Sequence, residues 1–144
     1  MRLLIINGPN INLLGKREQR IYGTLSYDEM VERLTLYARE RNLEIEFFQS
    51  NVEGEIVSKI QKSNHDGIIL NAAAFTHTSI AIRDALLSMK IPFIEVHISN
   101  IYARETFRQK SYLADIAIGV ITGFGVYSYT MAIDYFKLVK DKVV

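Results

Sequence analysis

The sequence predicts an α/β fold in three layers: a five-stranded parallel sheet, strand order 2-1-3-4-5, with helices on both faces. Three observations carry this. Short apolar, β-branched runs alternate along the whole chain with segments of helical periodicity, in the order β-α-β-α-β-α-β-α-β-α. Four of the runs are almost continuously apolar, as strands buried on both faces are, while the second alternates and belongs at a margin. Right-handed crossovers then leave few topologies, of which 2-1-3-4-5 puts that second strand at an edge.

The strands are "LLII" (3–6), "LEIEFF" (43–48), "GIIL" (67–70), "PFIEV" (92–96) and "DIAIGVI" (115–121). In the second, Leu43, Ile45 and Phe47 alternate with Glu44, Glu46 and Phe48, the pattern of a half-exposed strand. Ser26 followed three residues later by Glu29 is a capping-box signature. It opens a helix whose buried stripe is Tyr27, Met30, Val31, Leu34 and Ala38. Shorter helices are expected over 56–60 and 79–89. A longer one runs from about 126 to 140, with Val126, Thr130, Ile133 and Lys137 in register. The polar segment 7–24 is left as the longest structureless stretch, and long loops in compact domains are usually functional.

One domain over 1–144 is expected, since 144 residues bury a sizeable core without disulfide or metal support. Cysteine is absent, which excludes thiolate nucleophiles, iron–sulfur clusters and cysteine-ligated zinc and suits the cytoplasm. Lys plus Arg number 17 against 16 for Asp plus Glu, so no broad basic surface for nucleic acid is expected. No segment is long enough to span a bilayer, and the expectation is a soluble protein with a small-molecule partner.

In sheets of this kind ligands bind beyond the carboxyl ends of the strands. After the first strand comes "NGPNINLLGKREQRIYG", after the third "NAAAFTHTS", and the fourth runs into "EVHISNIYARETFRQ". The opening loop is not a nucleotide cradle: it lacks the G-x-G-x-x-G spacing and a Walker lysine, and Pro9 removes an amide. No carboxylate lies between Met1 and Lys16, so a phospho-acceptor aspartate is excluded there. His65, His77 and His97 have no metal-ligand spacing, and His65, in "KSNHDG", reads as a surface turn residue at the opposite end of the sheet. Glu95 and His97, two apart on a strand, leave the same face, and a carboxylate so placed orients an imidazole. Asp84 by itself reads as a solvated helix charge paired with a nearby arginine.

Together, "LLIINGPNINLLGKREQRIYG", "NAAAFTHTSIAIRDAL", "IPFIEVHISNIYARETFRQKS" and "GVITGFGVYSYTMAI" resemble the type II 3-dehydroquinate dehydratases over nearly the whole chain. These are small flavodoxin-like enzymes of the shikimate and quinate pathways. Phe75 stands where that family often has Tyr, and Ser128 where Gly is common before Tyr129. The resemblance implies reversible dehydration of 3-dehydroquinate to 3-dehydroshikimate by anti elimination through an enolate, without metal or cofactor.

It also implies roles for residues. Tyr22 would be the base on a mobile lid, and because a phenol titrates near 10 in water it needs the charge of Arg17 beside it. Asn10 would stabilise the enolate oxygen through a bound water, and His97, held by Glu95, would protonate the departing hydroxyl. Asn71 and the backbone amides of Ile98 and Ser99 would hold the substrate carboxylate, and His77 and Arg108 its ring hydroxyls. Asp84 would reach into a neighbouring subunit's site, in a homo-oligomer built from trimers, in the family a dodecamer. The other reading of the same pocket is a flavodoxin-like binding module for a small polyol or nucleotide, which leaves the Arg17–Tyr22 and Glu95–His97 pairings without a purpose.

Overall fold

The computed structural model describes residues 1–144. Five parallel strands, β1 (Arg2–Asn7), β2 (Glu44–Gln49), β3 (Gly67–Asn71), β4 (Phe93–His97) and β5 (Gly119–Thr122), lie in the order β2-β1-β3-β4-β5. Side chains alternate across the sheet. Leu3 and Ile5 of β1 enter one core with α2 (Tyr27–Arg39) and α5 (Tyr127–Lys140), through Met30, Leu34, Ile133 and Phe136. Leu4 and Ile6 enter the other, with α3 (Glu53–Gln61) and α4 (Ile80–Met89), through Ile56, Ile60, Ile82 and Leu86. Each such wholly buried Leu or Ile contributes about 1.5–3 kcal/mol of hydrophobic stabilisation.

Helix starts follow local chemistry. The Ser26 hydroxyl accepts the Glu29 N–H at 3.1 Å to open α2, and Ser79 accepts the Ile82 N–H at 2.9 Å to open α4. At the start of β3, Gly67 admits the Phe136 ring so closely that a Cβ there would overlap it. This contact seats α5 on the sheet.

Three expectations are corrected. The segment 7–24 is not structureless: it holds a 3₁₀ turn at Ile11–Leu13 and a one-turn helix, α1 (Gln19–Tyr22). The apolar run at 115–121 yields a strand only from Gly119, which pairs with Ile94. Before it the chain is held in turns, because the Ser111 hydroxyl accepts the N–H groups of Leu113 and Ala114 and Asp115 is drawn to Arg83. As an edge strand β5 is also only partly buried. Finally, His65 is not a surface residue: its side chain is 3% exposed, bonded through Nδ1 to the Ser63 hydroxyl and through Nε2 to Glu46, both at 2.9 Å. There it ties the edge strand β2 to the turn that enters β3.

No helix is long and apolar enough to cross a membrane.

Candidate active site

The carboxyl ends of β1, β3 and β4 stand side by side, with Asn7 paired to Asn71 and Leu70 to Glu95 in register. Beyond them opens a pocket of about 110 Å³. Asn10, Arg17, Tyr22, Asn71, His77, His97, Ile98, Ser99 and Arg108 all line it, drawn from the ends of these three strands and the segments that follow them. Gly8 makes the first turn possible: a Cβ there would overlap the Ala72 carbonyl, while its N–H donates to the Asn71 carbonyl at 2.7 Å. Asn10 follows in the left-handed region at φ 69°, which asparagine tolerates, and its side-chain amide bonds to nothing else in the chain.

Tyr22 ends α1, which lies between Gly15 and Gly23, both at positive φ. Arg17 donates to its hydroxyl at 3.4 Å but makes a shorter bond, 2.7 Å, to Glu18. Arg104 is nearer: its Nη1 meets the Tyr22 oxygen at 2.8 Å and the Ser99 hydroxyl at 3.2 Å. Two permanent cations thus face one phenolic oxygen. The sequence reading gave Arg104 no role. Its only signal was a second arginine in the stretch after His97, and nothing local separates it from Arg108.

Glu95 lies wholly buried beneath His97. Its Oε1 accepts from His97 Nε2 at 2.9 Å and from the hydroxyls of Thr76 and Ser111, both at 2.7 Å. Burial pushes the Glu95 carboxyl up, but the bonds and charge of His97 with those of Ser111 and Thr76 outweigh it and hold the group below the ordinary carboxylate range. A carboxylate only accepts, so Nε2 of His97 carries the proton and Nδ1 is left for other chemistry. The His77 ring stacks on His97, centroids 6.4 Å apart. Desolvation lowers the His77 pKa, opposed by its bond to Lys110 and assisted by the charges of His97 and Arg108. His77 is therefore neutral: its Nδ1–H donates to the Lys110 carbonyl at 2.7 Å, and Nε2 can accept from a hydroxyl.

The backbone N–H groups of Ile98 and Ser99 have no acceptor within the chain, and Asn71, at the end of β3, lines the same pocket. Together they supply neutral N–H donors, a set suited to a carboxylate, which only accepts. No group of three or more His, Asp or Glu side chains is arranged to hold a metal ion.

A model of the family "Dehydroquinase class II" matches residues 1–137. The chain belongs to the class II dehydroquinase family. The 3-dehydroquinate dehydratase of Prochlorococcus marinus strain MIT 9301 is 57% identical over 136 residues, covering 93% of this chain and 92% of that protein. That of Thermotoga neapolitana is 47% identical, covering 99% and 98%. Among solved structures, the type II dehydroquinase of Butyrivibrio crossotus superposes with a TM-score of 0.92 at 48% identity, covering 94% of this chain and 96% of that one.

Against this dehydroquinase family pattern, both departures have a structural place. The Ser128 hydroxyl donates to the His97 carbonyl and accepts from the Phe124 N–H, each at 3.3 Å, and Phe75 packs on the α3–α4 core. Asp84 is not brought into the pocket. It is exposed on α4, and the arginine beside it, Arg83, pairs with Asp115 instead, so the solvated ion pair expected from sequence does not form.

Proposed function

We propose that the pocket dehydrates 3-dehydroquinate to 3-dehydroshikimate, with Tyr22 as base and His97 as acid. The observation that carries this reading is the Tyr22 oxygen, held between two guanidinium groups in the same pocket as a carboxylate-backed histidine. As phenolate, Tyr22 takes the proton from the carbon beside the ketone, and the C–H electron pair passes into the enolate. Asn10, whose amide is free, stabilises the enolate oxygen directly or through water. The enolate then collapses, the C–O bond breaks, and His97 delivers a proton from Nδ1 to the departing hydroxyl, which leaves as water. Glu95 supports the imidazolium that this requires. Proton return from solvent to His97 and loss from Tyr22 reset the site.

Asn71 with the Ile98 and Ser99 amides holds the carboxylate, and His77 and Arg108 meet the ring hydroxyls. Asp84 serves a neighbour's site in a trimer-based homo-oligomer, in the family a dodecamer, and a cytoplasmic location goes with the same reading.

Substrate deuterated at the abstracted position tests the division of labour. Tyr22→Phe keeps the ring and loses the base, so the label stays in place. His97→Ala still enolises but cannot expel the hydroxyl, so the label washes slowly into solvent. Exchange in Tyr22→Phe at the rate of the His97 variant removes Tyr22 as the base.

A further inference from the structure

Asn7 is wholly buried at the end of β1 beneath the pocket, and the reaction outlined above leaves it without a task. It sits in register with Asn71, and the hydroxyl of Tyr129, from α5, lies between the two amides. Asn71 Nδ2 donates to the Tyr129 oxygen at 2.8 Å. The Tyr129 O–H in turn donates to Asn7 Oδ1 at 2.6 Å. Tyr129 is 0% exposed, and desolvation raises its hydroxyl far above the phenol range, so the group stays protonated.

A neutral phenol has one proton to give. Spent on Asn7, it is not available to Asn71, and Tyr129 can only accept from that side. The other end of the Asn71 amide is fixed too, because its Oδ1 accepts the Ala73 N–H at 3.1 Å. Turning the amide over would set NH₂ against an N–H donor and leave Oδ1 facing an oxygen whose proton is committed elsewhere. Asn7 enters this chain only as an acceptor; its own Nδ2 is buried with no partner. One N–H of Asn71 is spent on Tyr129, and the second makes no bond within the chain.

We infer that Tyr129, oriented by Asn7, is a positioning residue that locks the Asn71 amide with its NH₂ group as the end offered to substrate. A carboxylate accepts and never donates, so only this orientation of Asn71 binds one. The inference rests on the assignment of Asn71 to the substrate carboxylate.

Steady-state kinetics with 3-dehydroquinate on a double-mutant cycle tests it. Tyr129→Phe keeps the buried ring and leaves the Asn71 amide held at its Oδ1 end alone, so the NH₂ group is no longer fixed toward substrate and KM rises about 10-fold, the scale of one hydrogen bond to a charged group, while kcat changes little. In an Asn71→Ala background the same change leaves KM where Asn71→Ala put it, because Tyr129 acts through Asn71. Additive effects on KM, or a fall in kcat with KM unchanged, overturn the inference. An Asn71→Ala enzyme with unaltered KM overturns the assignment of Asn71 itself, and the inference with it. Should Tyr129→Phe not yield folded protein, Asn7→Ala carries the same cycle: it releases the Tyr129 proton to turn toward Asn71, and an unchanged KM in that variant also overturns the inference.

Discussion

Arg104 stands closer to the Tyr22 hydroxyl than Arg17 does, 2.8 Å against 3.4 Å, and Arg17 shares its guanidinium with Glu18. The two arginines also differ in setting. Arg104 belongs to the segment that follows β4 and is additionally held by Ser99, whereas Arg17 rides on the loop that carries Tyr22.

Arg104→Ala is therefore expected to lower kcat about 100-fold or more, the scale of losing one preorganised electrostatic contact, and by at least as much as Arg17→Ala. Arg104→Lys recovers little, since a flexible point charge cannot bond Tyr22 and Ser99 together as the planar fork does. Initial rates at saturating substrate decide it. If Arg17→Ala is crippled and Arg104→Ala is nearly normal, the nearer cation is not the one that matters.

The acid side of the pH profile tests the bonds beneath His97. The folded-state pKa of Glu95 is depressed, so its ionised form, and the stability that goes with it, is present above the ordinary carboxyl value of about 4.3 and lost as pH falls through the lower folded value. Ser111→Ala removes one of three donors to Oε1 while burial remains, so the carboxyl titrates higher. The acid limb of kcat should then move to higher pH, and Ser111→Thr should restore it. A uniform drop in rate with the acid limb unmoved would mean that Ser111 does not govern the ionisation of Glu95.

Gly8→Ala forces a methyl group into the Ala72 carbonyl at a place where the backbone is pinned by the Gly8 to Asn71 bond. Overpacking of this kind costs about 1–3 kcal/mol, and here it also displaces the Asn7–Asn71 pair under the pocket. A lower midpoint in urea with an unchanged m-value, together with a raised KM, is the expected result. A variant as stable and active as the parent would show that the close approach is not needed.

Asp84 makes no ion pair within the chain, and Ile80 and Leu87, on either side of it along α4, are 56% and 48% exposed. If a second copy covers this face and receives the carboxylate, inactive Asp84→Ala and Tyr22→Phe subunits should complement each other. Dissociated, mixed and reassembled, they form some sites with an intact Tyr22 and an intact neighbouring Asp84, and part of the activity returns. No recovery in mixed oligomers confirmed by sedimentation would sink the shared site.

The sequence by itself determined the sheet, its order, the two helical layers and the end of the sheet where the pocket opens. Those are properties of periodicity and of residues near one another along the chain: Glu95 and His97 share a face because a strand alternates, and Ser26 opens a helix because Glu29 is one turn away. Tertiary structure alone decided which groups meet. Arg104 reaches Tyr22 across 82 positions, Tyr129 reaches Asn7 across 122, and His65 is buried only because Glu46 of the edge strand folds over it. The start of β5 was decided the same way, since the run from Asp115 to Ala117 is apolar enough for a strand but Arg83 and Ser111 hold it in turns, and only at Ile118 does the chain bond to β4. Hydrophobic pattern reports which face of an element leaves water; a hydrogen bond depends on a distance of a few Å between atoms of distant segments, and no local pattern encodes that distance.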